Sequence, residues 1–227
     1  VQPVGTPPAE PEALVLVLHG GRSQSRAATH RYQTAYLRML PFARPLARTG
    51  GLAVWMVRYR HRGWNGSAMD AKQDALWALD EAARRYPGVP VLLLGHSMGG
   101  RAGLHAAGHP GVRAVCALAP WLDGTDPVAQ LAGRSVLIAH GDRDRMTDPA
   151  ESYAYAVRAK RATDRVCRFD VRGEAHAMLR RAGDWNRLVT RFVLAEAGIT
   201  PPDAEIEDAM RVPAPAGLRI ELVGARR

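Results

Sequence analysis

Lysine is almost missing from this sequence: Lys72 and Lys160 are the only two among 31 basic side chains, and the rest are arginine. Against 22 acidic residues this leaves a net charge of +9 at pH 7. Binding to nucleic acid would want that charge gathered on one face with aromatic neighbours. Here the arginines run from Arg22 to Arg227, aromatics make up 6% of the chain, and no nucleic-acid motif accompanies them. A nucleic-acid partner is therefore not expected. What remains is a solvated, arginine-biased surface whose positive field favours anionic substrates.

Cysteine is equally scarce. Cys116 and Cys167 are the only two, too few for a disulfide framework, and each falls in an apolar segment that reads as a separate strand. With another strand between them the two stand about 9 to 10 Å apart, beyond the reach of a disulfide. Buried, reduced thiols are expected.

Long apolar runs are also lacking. Leu14 to Leu18 and Val91 to Leu94 have the length of buried strands, far short of the roughly 18 residues a membrane span needs. The opening VQPVGTPPAEPEA has neither the basic nor the apolar region of a signal peptide, so a cytoplasmic location is expected, although a chain beginning at Val1 also fits prior trimming. No metal-ligand spacing, phosphate-cradling loop or dinucleotide fingerprint is visible, and no cofactor or metal is implied.

What is present is an alternation. From about residue 14, apolar strand-like runs (Leu14–Leu18, Ala53–Arg58, Val91–Leu94, Ala114–Ala119, Val136–His140, Val166–Val171) alternate with helix-compatible stretches. That order predicts an α/β fold, a mostly parallel sheet of about six strands with helices on both faces. Ser67 and Asp70 resemble a capping box ahead of the stripe Ala71, Ala75, Ala78, Leu79 and Ala82. Asp148-Pro149 predicts a helix start running to about Ala162, and a last helix is expected from Asp184 to Ala197, stopped by Gly198. The expected organisation is an extension over 1–13, one domain over 14–198, and a Pro/Ala-rich tail over 199–227. Within that tail, Leu218 to Val223 fits a docked edge strand and a disordered end equally.

The sharpest signal is the run from Val91 to Gly100, VLLLGHSMGG, in which an apolar strand leads into Gly-x-Ser-x-Gly and then into a helix-compatible stretch. The glycines have a steric reason: the serine must sit in a tight strand-to-helix turn, where a Cβ at 95 or 99 would strike neighbouring backbone. Such a turn exposes the Ser97 hydroxyl. It also leaves the Met98 N–H at a helix N-terminus, available to an oxyanion. A glycine-rich turn with an incidental serine is the bland alternative.

Together, His19-Gly20-Gly21, the Gly95–Gly99 pentapeptide, His140-Gly-Asp-Arg-Asp144 and Gly173-Glu-Ala-His176 resemble the successive signatures of the α/β-hydrolase superfamily, over residues 14 to 198. The resemblance implies Ser97 as nucleophile, Asp144 as triad acid, His176 as general base, and Gly21 with Met98 as oxyanion-hole donors. Asp123 is the outside candidate for the acid, Asp142 is expected to face the turn, and Asp148 suits the helix cap. His19 and His96 take structural readings, and His30, His61, His105, His109 and His140 surface or packing ones. The chain order Ser97, Asp144, His176 is the one this fold requires.

The implied chemistry is attack on an acyl carbonyl, with an acyl-enzyme on Ser97 that water resolves, suited to an ester or thioester of a small molecule. The same scaffold also serves acyl transfer, lyase or cyclisation chemistry, or a non-catalytic binding protein. The Pro120–Arg134 connection is too short for a large lid, which predicts an open site. Arg22, Trp64, Met98, Trp121 and Met146 fall near strand C-terminal ends and are candidate cleft residues.

Overall fold

The computed structural model describes residues 1–224, so residues 225–227 of the expected tail lie outside the described residues. Continuous apolar runs become six strands covered on both faces, β2 (Ala13–Leu18), β3 (Leu52–Val57), β4 (Val91–His96), β5 (Val112–Leu118), β6 (Ser135–Gly141) and β7 (Val166–Val171), flanked by two short and more exposed ones, β1 (Gln2–Pro3) and β8 (Ile220–Glu221). They form one sheet in the order β1-β3-β2-β4-β5-β6-β7-β8, parallel throughout except where β1 pairs antiparallel with β3. The six expected strands are its centre, and the two short edge strands are additions.

The helices are α1 (Thr34–Leu37), α2 (Leu40–Ala47), α3 (Asp70–Arg85), α4 (Met98–Ala106), α5 (Pro149–Ala159), α6 (Ala182–Glu196) and α7 (Ala204–Arg211). Alternation within each strand sorts them onto two faces. Leu14, Leu16 and Leu18 of β2 face the core shared with α3, α4 and α5, where Ala71, Ala75, Ala78, Leu79 and Ala82 are buried as expected. Val15 and Val17 face the opposite core, with Phe42 of α2, Trp185 and Phe192 of α6, and Ile206 and Met210 of α7. Cys116 and Cys167 are free and buried on β5 and β7, with β6 between them.

Three expectations are corrected. Ser67 caps no helix: residues 66–68 form a 3₁₀ turn, Met69 takes a left-handed conformation (φ 45°) at the N-cap, and the Asp70 carboxylate instead accepts from Asn65 Nδ2 at 2.7 Å. α5 begins at Pro149, with Asp148 accepting from the Ala150 N–H as anticipated, but ends at Ala159 instead of Ala162. α6 is not the last helix. Asp203 accepts from the Ile206 N–H and starts α7, after which Leu218 and Leu222 are buried and β8 joins β7 in parallel.

Candidate active site

The segment after β4 shows why its glycines are required. Ser97 stands at φ 56°, ψ −119°, a strained conformation between the strand and α4. A Cβ on Gly95 would overlap the Gly99 carbonyl, and one on Gly99 would overlap the Leu18 carbonyl. The turn is thus wedged between its own helix and the end of β2. α4 opens at Met98, whose N–H precedes the intrahelical ladder. Gly21, beyond the end of β2, is confined in the same way: a Cβ there would overlap the Met98 side chain and the Arg62 carbonyl. Neither the Gly21 nor the Met98 N–H donates to another group among the described residues.

Asp144 follows β6 in a turn whose amides converge on its carboxylate. Oδ1 accepts from the N–H of Met146 (2.8 Å) and of Thr147 (3.1 Å). Oδ2 meets His176 Nδ1 at 2.7 Å, Thr147 Oγ1 at 2.8 Å and His140 Nε2 at 3.3 Å. Burial works against the charge, but hydrogen bonds from His140, His176 and the two amides outweigh it, holding the carboxyl far below the usual range. The carboxyl therefore stays ionised and accepts from Nδ1 of His176, which leaves the Nε2 of that ring directed away from it.

His176 rides on the loop after β7. That loop is tied down by buried Glu174, which accepts from Trp185 Nε1 at 2.9 Å and from the Arg180 N–H at 3.0 Å. His96 supports it from beneath, donating from Nε2 to the His176 carbonyl at 3.0 Å with the two rings 4.6 Å apart. Ser97 and His176 line the same cleft at the C-terminal ends of the strands, from both of its halves. One half, about 350 Å³, reaches over Gly21, Gln33, Arg38 and Arg62. The other, about 470 Å³, is bounded by Met98, Trp121 and Thr147. Arg22 and Met146 border both halves.

Trp64, expected on the cleft, is instead buried behind Trp121, its ring in edge contact at 6.4 Å. Asp123 is engaged elsewhere, accepting from Arg101 Nη2 at 2.6 Å, and Asp142 accepts from the Gly173 N–H at 2.6 Å. Sequence reasoning missed Thr147 and His140, both on the Asp144 carboxylate, and the arginine pair Arg38 and Arg62. His140 had a packing reading because its contact depends on how β6 meets the following turn. Thr147, three residues beyond the acid, carried a local signal in its spacing.

No curated protein matches the chain by sequence. Among solved structures, Est1E from Butyrivibrio proteoclasticus superposes with a TM-score of 0.64 at 16% identity, covering 87% of this chain and 93% of that one. XC6422 from Xanthomonas campestris, described as an α/β serine hydrolase without lid, gives 0.63 at 19% identity, with 88% of each chain covered. Est2, a thermophilic esterase from the Planctomycetes species Thermogutta terrifontis, gives 0.62 at 20% identity, covering 89% and 88%. These are likenesses of fold. A family model described as serine aminopeptidase, S33, matches residues 9–135, more than half of the chain, including the elbow but stopping before Asp144 and His176. On that match the chain belongs to the serine aminopeptidase S33 family, within the α/β-hydrolase superfamily.

Proposed function

We propose that this serine hydrolase cleaves a carboxylic ester or thioester through an acyl-enzyme on Ser97. The observation that carries the reading is the Asp144–His176 hydrogen bond of 2.7 Å, whose histidine shares a cleft with a serine held at positive φ. Ser97 Oγ attacks the acyl carbon while its proton passes to His176 Nε2. The Gly21 and Met98 N–H groups donate hydrogen bonds to the developing oxyanion. Collapse of the intermediate expels the alcohol or thiol, which takes the proton from His176. Water then repeats the sequence, its proton passing through His176, and releases the carboxylic acid and free Ser97. No helix among the described residues is long and apolar enough to cross a membrane.

The test pairs a fluorophosphonate probe with a panel of p-nitrophenyl esters, acyl thioesters and p-nitroanilides. Wild type labels at Ser97 and turns over esters or thioesters, whereas Ser97→Ala does neither. Folded wild type that fails to label overturns the serine-nucleophile reading. Labelling with turnover of anilides alone overturns the ester assignment.

A further inference from the structure

The half of the cleft that reaches over Gln33 is unusual in its charge. Arg38 and Arg62 line it with Arg22 at the rim, and no carboxylate lines it. Arg38 ends α1 on the segment joining β2 to β3, and Arg62 lies beyond β3, so two separate loops bring guanidinium groups to one side of Ser97. Ten other arginines among the described residues, such as Arg60, Arg101 and Arg191, are spent on acidic partners. Arg22, Arg38 and Arg62 form no ion pair among the described residues. Arg38 is partly buried, and its polar contact is a long one, from Nη1 to the His176 carbonyl at 3.5 Å. Burial disfavours its charge and nothing nearby compensates. Arg62 Nε faces the Gln33 amide oxygen at 3.2 Å once that amide is turned to satisfy both neighbours, which steadies the guanidinium without neutralising it.

A guanidinium presents planar paired donors that match a carboxylate or a phosphate, and a partly desolvated one without a partner gains most from meeting such an anion. We propose that Arg38 and Arg62, with Arg22 at the rim, form an anion subsite that selects substrates bearing a carboxylate or phosphate group close to the scissile acyl bond. The inference rests on Ser97 being the nucleophile of an ester hydrolase and names the substrate class of that same site. The anionic group takes no part in bond making or breaking. It docks on the guanidinium side while the acyl carbon lies over Ser97.

The test compares kcat/KM within matched pairs: monomethyl glutarate against methyl pentanoate, with the charge on the acyl side, and 4-acetoxybenzoate against its methyl ester, with the charge on the leaving group. 4-Acetoxyphenyl phosphate against 4-acetoxybenzoate separates phosphate from carboxylate. At least a tenfold preference for the anionic member of one pair is expected. Arg38→Gln and Arg62→Gln each bring that ratio toward one, and Arg38→Lys keeps part of it. Arg44→Gln, an exposed arginine outside the cleft, preserves the ratio; if it lowers the ratio equally, the preference belongs to the overall charge and the subsite is overturned. A ratio below two in both pairs also overturns it. Calorimetric titration of Ser97→Ala with glutarate and with inorganic phosphate reads the subsite even where no ester is turned over. Saturable binding that Arg38→Gln abolishes supports the subsite, and absence of binding overturns it. Failure of the ester reading shows separately, as loss of probe labelling and turnover.

Discussion

His140 Nε2 lies 3.3 Å from Asp144 Oδ2, the same oxygen that meets His176 Nδ1 at 2.7 Å. The hydrogen bonds around His140 fix its tautomer. Burial lowers its pKa, so the ring is neutral and carries one proton. If that proton sat on Nδ1, the Nε2 lone pair would face the carboxylate. With the proton on Nε2, the ring donates to Asp144 and Nδ1 accepts from Ser152 Oγ at 2.8 Å; the Pro149 carbonyl, 2.9 Å from the same hydroxyl, keeps Arg168 Nη2 as its donor at 3.2 Å, and Thr147 Oγ1 is free to donate to Asp144 at 2.8 Å. Every group is then satisfied, and one carboxylate receives five donors.

In the proposed mechanism His140 therefore positions the carboxylate that orients His176. His140→Phe removes one of the five donors and leaves Ser152 without its ring partner. The expected result is a fall in kcat of about tenfold, or ~1.4 kcal/mol, with KM within twofold of wild type. Asp144→Asn, which changes the tautomer of His176 itself, costs about 10⁴-fold by the same assay. Equal losses in kcat and in thermal stability, with KM rising in step, would assign His140 to packing alone.

Two further buried histidines predict an acid-labile fold. Burial lowers His19 to about 4, opposed by its Nδ1 contact with the Gly20 carbonyl at 2.7 Å, and lowers His96 to about 3, helped by neighbouring His176. Both are neutral in the folded state but protonate near 6.5 once unfolded. Between these values the unfolded chain binds more protons, so stability is intact above pH 6.5 and falls as the pH drops toward 4. Each histidine removes up to about 2 kcal/mol between pH 6.5 and 5. Urea unfolding midpoints at pH 7.5, 6 and 5 check this. In His19→Asn the decline is shallower than in wild type, and parallel declines would refute the assignment of His19.

The central strands were legible because doubly covered strands are continuous apolar runs, and Val166–Val171 falls on β7 end to end. The elbow was legible because two backbone collisions demand its glycines, leaving a spacing that survives in one dimension. α7 escaped detection because it buries only Ile206, Ala209 and Met210, too few for a periodic pattern, and prolines flank it. Lys160 Nζ, which reaches the Met210 carbonyl, helps to dock this segment on the sheet. Arg38 and Arg62 could not be paired from sequence, since their meeting depends on where two loops settle above the sheet. Trp64 was placed on the cleft by its position after β3, yet the turn that follows carries its ring inward against Trp121 and His105.

The inward ring belongs to a second buried assembly, centred on Arg101 of α4. Its guanidinium lies between Trp64 and Trp121, 4.8 and 4.6 Å from their ring centroids, and pairs with Asp126 and Asp123 at 2.6 Å each. Asp126 is 1% exposed and also meets His105 Nε2 at 2.6 Å. This cluster holds the short β5–β6 connection against α4 and thereby sets the Trp121 wall of the cleft. Arg101→Met leaves Asp126 buried without its cation, which costs about 3 to 5 kcal/mol. Arg101→Met combined with Asp126→Asn removes both charges, so much of that loss returns, and denaturant unfolding of the three proteins measures the coupling. Because the pair touches neither Ser97 Oγ nor His176, the double variant keeps kcat within about threefold while KM for esters rises as Trp121 loosens. A double variant no more stable than Arg101→Met alone would mean that the arginine acts through its contacts with the two rings, not through its charge.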